Sequence, residues 1–363
     1  MKQKWNTLIM VFSAVAMMAC GGGGGSGDKS EDLAQESSDD DNSIVSPSTP
    51  TTPTAPTTPT APTTATTTPT SEPRVIENLG AVSNSILDED NGYQGSSAAG
   101  ESRFVCNPVR IETVDPILNP GEISNHEHLF WGNAATNRNS TYESLINEPA
   151  GASCSGGAIN KSAYWMPTLL DPEGNPVIPD VIFNYYKTGY QGQDASAIIS
   201  MPAGLQMISS QNPNYFDGAF TNWSTGSDFQ GGDNEQRYLP DEAPEWLRAT
   251  VGFPQCWNGV DLTSPNGKDH VAHHNGGQCP STHPVLLPEL TISVSWEIGG
   301  SLDGYQLSSD AANGAQPGEL LHADFMDAWD PSWMDLIVTS CLNAEIDCGT
   351  RQIGQFGLID PSF

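Results

Sequence analysis

Residues 289–300 read ELTISVSWEIGG, and within them Ile292, Val294 and Trp296 alternate with Ser293, Ser295 and Glu297. Apolar side chains two apart share one face of an extended chain but no single face of a helix, so this stretch is a strand with one buried side. The same β-branched and aromatic bias recurs in DVIFNYYKTG, AIISMPAGLQMISS and WLRATVGF, with turn-forming clusters such as DPEGNP and SPNGK between them. A helical period shows only in PSWMDLIVTSCLN, where Pro331 suits a first turn and Asp330 a cap. The pattern predicts a mainly β chain: a single antiparallel β-sandwich or jelly-roll-like domain with long loops and little helix.

The strand pattern starts late. Lys2 and Lys4 precede an apolar run from Leu8 to Met18, which is followed by Ala19, Cys20 and five glycines. This reads as an export signal over residues 1–20 and is similar to a bacterial lipoprotein cleavage site, with Cys20 as the lipidated first residue. An ordinary cleaved signal with a chance cysteine is the plain alternative. The residue after Cys20 is Gly21 and not Asp, which in such systems favours release to the outer membrane. Residues 21–100 contain DKSEDLAQESSDDD and a tandem PTAPTT at 53–58 and 59–64. Proline this dense favours extended backbone of about 3 Å per residue, so the stretch reads as a disordered linker or stalk. Residues 75–100 form its approach to a domain at 101–363. Roughly 260 residues are enough to bury one core. The expected location is exported, lipid-anchored through Cys20 in the outer membrane or at the cell surface.

Six further cysteines, Cys106, Cys154, Cys256, Cys279, Cys341 and Cys348, are an even number in an exported chain and allow three disulfides. Sequence leaves the pairing open, although Cys256 with Cys279 would close a loop around a histidine-rich segment. The formal net charge is −31, and of thirteen basic residues Lys2, Lys4, Lys29 and Arg74 precede the domain. So few cations form no phosphate-binding track, which argues against nucleic acid. Neutral polymers are better substrates for such a surface than polyanions, unless a bound cation screens the contact.

All seven histidines fall in three patches: His126 and His128; His270, His273, His274 and His283; and His322. On a strand, His126 and His128 share a face, as do His322 and Asp324. Three or four imidazoles with a carboxylate make a zinc or copper site, for which His126, His128, His270 and His322 are the candidate ligands. The alternatives are a metal-free protonic site and a structural cluster. For a protonic site, His126, His128, His283, His322 and Asp324 are the candidate catalytic groups, with Lys161 and Tyr164 assisting. His273 and His274 read as loop residues. Trp131, Trp165, Trp257 and Trp329, with Asn258, suit sugar binding, since a pyranose offers an apolar face and a hydroxyl rim; core packing is the other fate of such tryptophans. No GxSxG and no nucleotide loop is present.

The motifs DPILNPGEISNHEH, YWMPTLL, PAGLQMI, CWNGVDLTSPNGKDH, CPSTHPVLLPEL and HADFMDAWD together resemble the DUF1996 family, a domain of unknown function in secreted fungal and bacterial proteins. The resemblance runs from about Arg103 to Cys341. Its pattern falls on Asp115, Ser124, His126, His128, Tyr164, Trp165, Cys256, Trp257, Asn258, His270, Cys279, His283, His322, Asp324, Trp329 and Asp330, among others. Ala323 stands where the family usually has glycine, and His273 and His274 lie outside the pattern. The family name implies no reaction. Its secreted setting, sometimes beside sugar-binding WSC modules, implies extracellular polysaccharide. The resulting expectation is a surface-anchored protein that cleaves a neutral glycan through a His/Asp site, as a hydrolase or lyase. The rivals are a non-catalytic glycan-binding or adhesive module and an envelope metal-binding protein.

Overall fold

The chain forms two six-stranded sheets. In chain order the strands are β1 (Val75–Glu77), β2 (Glu101–Cys106), β3 (Pro108–Glu112), β4 (His128–Gly132), β5 (Ala163–Pro167), β6 (Val181–Lys187), β7 (Gln206–Ser210), β8 (Asn222–Gly226), β9 (Asp233–Gln236), β10 (Trp246–Gly252), β11 (Glu289–Trp296) and β12 (His322–Met326). The first sheet runs β1-β3-β4-β5-β12-β7 and the second β9-β8-β10-β11-β6-β2. Every pairing within them is antiparallel. This computed structural model describes residues 75–77, 79, 99–148, 151–188, 192–211, 221–229, 233–350, 352–353 and 357–358. They belong to one compact unit, Thr68–Phe363. Cys20, the signal and nearly all of the 21–100 stretch lie outside the described residues; within that stretch, Val75–Glu77 pairs with β3.

The expected β-sandwich is present, and alternation explains which side chains fill it. Leu129 and Trp131 of β4, Tyr164 and Met166 of β5 and Phe325 of β12 meet Ile182 and Tyr186 of β6 and Ile292, Val294 and Trp296 of β11 in one buried cluster. Polar groups stitch the sheets across this layer. Trp131 Nε1 donates to Asn184 Oδ1 at 3.1 Å, the Tyr164 and Tyr186 hydroxyls lie 2.8 Å apart, and Trp329 Nε1 donates to the Tyr186 oxygen at 2.9 Å. Burying the polar atom of an amphipathic side chain costs free energy without such a partner.

The serine side of β11 is buried too, contrary to the one-faced strand that its alternation predicts. Ser295 Oγ donates to Phe229 O at 2.9 Å, and Phe229 packs against Val105, Val181 and Phe183 on that outer side. A second, smaller apolar layer therefore covers the small polar side chains.

The outer side of the first sheet carries Val114, Phe130, Ala163, Trp165 and Met326, covered in part by Leu145 of a short helix, α1 (Tyr142–Asn147). Two other helices occur among the described residues, α2 (Ser308–Asn313) and α3 (Pro331–Ile337), and α3 continues into a π turn at Val338–Leu342. The sequence signals for α3 hold: Pro331 is in its first turn, and Asp330 caps it, accepting from Ser332 N at 2.9 Å. Disulfides join Cys106 to Cys154, Cys256 to Cys279 and Cys341 to Cys348.

Candidate metal centre

Sheet register brings the first and third histidine patches together. His128 of β4 faces Pro167 of β5, while Asp324 of β12 faces Trp165 two residues away on β5. Continuing that antiparallel register sets His322 level with Pro167 on its other side. Strands β4 and β12 both border β5, so residues 194 apart in sequence become neighbours across one intervening strand. The pleat then directs His128, His322 and Asp324 to the outer side, opposite Trp131 and Phe325. His126 arrives from the β3–β4 loop, and Ser308 fixes its approach: Ser308 Oγ donates to Glu127 O at 2.6 Å and accepts from Thr168 N at 3.0 Å. The connection into His322 is held by buried Asp310, whose carboxylate accepts from the backbone N–H groups of Leu307, Gly318 and Leu320.

The ring nitrogens of the three histidines divide into two sets. Each Nδ1 donates to a carbonyl oxygen: His126 to Asn125 Oδ1 at 2.6 Å, His128 to Val114 O at 2.9 Å and His322 to Leu320 O at 2.8 Å. A backbone carbonyl only accepts, so the bonds to Val114 and Leu320 fix the Nδ1–H tautomer of His128 and His322 and leave each Nε2 as a lone pair; His126 takes the same tautomer with Asn125 Oδ1 as its acceptor. One ring nitrogen from each residue lies within 4.8 Å of the other two. His126 Nε2 and His322 Nε2 are 3.4 Å apart. Two unprotonated nitrogens at that distance repel unless a cation lies between them. Two imidazoles bound to tetrahedral zinc at about 2.05 Å would place their nitrogens about 3.3 Å apart, so the separation fits. His128 Nε2 is fully buried and has no hydrogen-bond partner. Leaving it so costs on the order of 1–3 kcal/mol, which a bound metal would offset.

Electrostatics favour neutral ligands. Burial lowers His126 to about 4 and His322 to about 3, with the charge of His126 adding to the effect on His322. Burial, then His126 and His322, drives His128 well below its ordinary value. All three imidazoles are thus neutral near pH 7, the form that binds metal. Asp324 is 1 % exposed and neither of its oxygens accepts a hydrogen bond. Its Oδ2 lies 3.9 Å from His322 Nε2. Burial, reinforced by Asp115, pushes Asp324 well above the usual carboxylate range, and Lys268 pulls it back. The indole Nε1 of Trp165, on the same side of the sheet, is also buried without a partner.

His126 and His322 line a cavity of about 360 Å³, together with Asp115, Asn119, Ser124, Asn125, Ser210, Asn266 and Lys268 and two apolar walls, Leu118 and Ile208. Lys268 Nζ donates to Ser210 Oγ at 2.6 Å. Asp115 Oδ1 accepts from Ile117 N and Leu118 N, which shapes the loop under the pocket. Sequence reasoning passed over Lys268, Ser210 and Asn266. A signal for Lys268 was available, since it is one of the few basic residues in the domain and lies in the SPNGK turn.

Other expected site residues are placed elsewhere. His270, a candidate ligand, has both nitrogens engaged, Nε2 donating to Gln206 O at 2.6 Å and Nδ1 accepting from Ser264 Oγ at 2.9 Å, so it pins its loop to β7 instead. His283 donates to Asp269 O at 3.1 Å and accepts from Thr282 Oγ1, apart from the cluster. Lys161 Nζ donates to Ile146 O and Glu148 O at the end of α1, and Tyr164, raised to about 12 by burial, lies between the sheets on the opposite side from the histidines. Trp131, Trp165 and Trp329 are at most 2 % exposed, which leaves none of these rings open to a sugar. Trp257 donates to Asp261 O, and Asn258 Oδ1 accepts from Val260 N and Asp261 N, shaping a turn.

A family model described as "Domain of unknown function (DUF1996)" matches residues 115–329, more than half of the chain. The match spans all three clustered histidines, Asp115, Lys268 and Asp324. No curated protein and no solved structure matches the chain.

Proposed function

We propose that this chain, which belongs to the DUF1996 family, is a metal-dependent hydrolase of extracellular polysaccharide, with a divalent ion, zinc first, held by His126, His128 and His322. One observation carries the reading: three imidazoles, each with Nδ1 against a carbonyl oxygen, gather one ring nitrogen apiece within 4.8 Å beside a pocket, and Nε2 of the deepest is buried without a partner. A structural zinc site is closed by four protein ligands, whereas three leave a position for chemistry. When bound, such an ion supplies Lewis acidity and a water of lowered pKa.

The remaining residues have roles set by their positions. The three carbonyl acceptors hold the imidazoles in their binding tautomer. Asp324, with both oxygens uncommitted and Oδ2 3.9 Å from His322 Nε2, is the proton acceptor, since the positive charge of a bound ion would draw its raised pKa back down. Lys268, at the pocket edge, offers a positive charge to negative charge that develops in the reaction. Asn119, Ser124 and Asn266 provide the amides and hydroxyl that suit a sugar's hydroxyl rim. The signal-like first twenty residues and the Thr/Pro-rich stretch support placement at the cell surface on a lipid anchor at Cys20.

The zinc-loaded protein should release new reducing ends from at least one member of a panel of neutral polysaccharides. Asp324→Asn should keep the metal and lose at least about 100-fold in turnover, the range for removal of a general base. Full activity in that variant, or no reducing ends from zinc-loaded wild type, would rule the proposal out.

A further inference from the structure

Two cavities, of about 800 and 430 Å³, open on a different part of the chain and share Pro240 and Asp241 as lining. The smaller is lined by Tyr238 and Tyr305, with Asp241, Ser301, Asp303 and Gln316 among its polar walls. None of the three clustered histidines borders either cavity. We propose that this trough is a second, metal-free site that binds a segment of neutral polysaccharide.

The chemistry of the walls sets the ligand class. Tyrosine rings offer apolar faces of pyranose size, and each phenol adds a polar tip. Carboxylates and a side-chain amide beside them accept from and donate to vicinal hydroxyls. Asp241, Glu242 and Asp303 line the two cavities while no Lys or Arg does, so a polyanion would meet like charge. An apolar ligand would leave those carboxylates desolvated and unpaired. A neutral, hydroxyl-rich ligand satisfies both conditions. A volume of about 430 Å³ falls in the range of small-ligand pockets and suits a short oligosaccharide segment, with the larger cavity continuing from it.

The trough is preformed, which lowers the ordering cost of binding. Leu302 N donates to Asp241 O at 2.9 Å, Tyr305 N to Leu302 O at 3.1 Å and Leu239 N to Pro317 O at 3.0 Å, so the segments carrying the two tyrosines are tied together. Tyr238 is 37 % exposed, and the Arg237 guanidinium lies 5.1 Å from its ring centroid, itself 3.6 Å from Glu319. That ion pair holds the arginine against the ring and neutralises it.

The inference shares with the proposed function only the expectation of a glycan, and the two can fail separately. Native affinity electrophoresis of the full chain through gels containing mixed-linkage β-glucan, galactomannan, xyloglucan or polygalacturonate tests it. At least one neutral polymer should retard the protein. In Tyr238→Ala/Tyr305→Ala the affinity should fall at least tenfold, and in Tyr238→Phe/Tyr305→Phe it should persist. Gln316→Ala, an exposed change that spares both rings, should weaken binding several-fold even if the double alanine variant does not fold. His128→Ala and chelator should leave retardation unchanged. The inference is overturned if no neutral polymer retards the chain, if polygalacturonate retards it more, if the alanine variants bind like wild type, or if His128→Ala abolishes binding.

Discussion

Successive residues of β4 meet two different environments. Leu129 and Trp131 enter the layer between the sheets, where Trp131 finds Asn184 and the Tyr164, Tyr186 and Trp329 polar atoms find one another. His128 and Phe130 turn outward, and there His128 Nε2, both Asp324 oxygens and Trp165 Nε1 are buried with no hydrogen-bond partner. Both sides are water-poor, and only the inner one is largely complete as protein. A core is satisfied by its own chain, whereas a binding site is satisfied by something else. That difference, more than the presence of histidines, is what singles out the outer side as the candidate site.

The comparison makes predictions of decreasing size. Trp131→Ala removes the largest inward side chain of β4 and leaves Asn184 without its donor. It should cost about 3–5 kcal/mol in urea unfolding, yet the molecules that remain folded should bind metal at the wild-type stoichiometry. Metal loss in that folded fraction would break the independence of the two sides.

Asp327 is the inner side's exception. It is 1 % exposed, accepts from Gly204 N at 3.2 Å through Oδ2 only, and is raised by burial to about 8. A folded-state pKa above the unfolded value means that the native state holds the extra proton between pH 4 and 8, so its stability falls as pH rises through that window. Between pH 5 and 8 the loss should be on the order of 3 kcal/mol, and Asp327→Asn should remove most of it. An equal pH slope in variant and wild type would show that this carboxyl is not held as described.

The fold was readable where a single physical rule acts locally. Alternation located β11 and its inward residues, and Asp330 with Pro331 located the start of α3. The even cysteine count suggested three bridges and left their pairing open; Cys256–Cys279, one pairing that sequence position offered, is among those formed. Burial of the serine side of β11 was not readable, because it depends on Phe229 arriving from another segment. The pairing of His126 and His128 was visible as a two-residue spacing, and His322 with Asp324 likewise. Their convergence was not, since it is set by β4 and β12 both bordering β5. His270 shows the limit from the other direction: its type and motif suit a ligand, but Ser264 and Gln206 O use both its nitrogens. The burial of Trp131, Trp165 and Trp329 was not legible for a similar reason, since neighbouring polar residues in sequence say nothing about which way a ring is turned.

The most direct test of the three-histidine centre is elemental analysis of the exported chain, purified without a histidine tag, beside His126→Ala/His128→Ala. The expected result is one zinc per wild-type chain and none in the variant, with near-ultraviolet circular dichroism unchanged because the inner core is untouched. A wild-type protein that is folded and disulfide-bonded, yet carries no metal and takes up none when titrated with zinc, would contradict it.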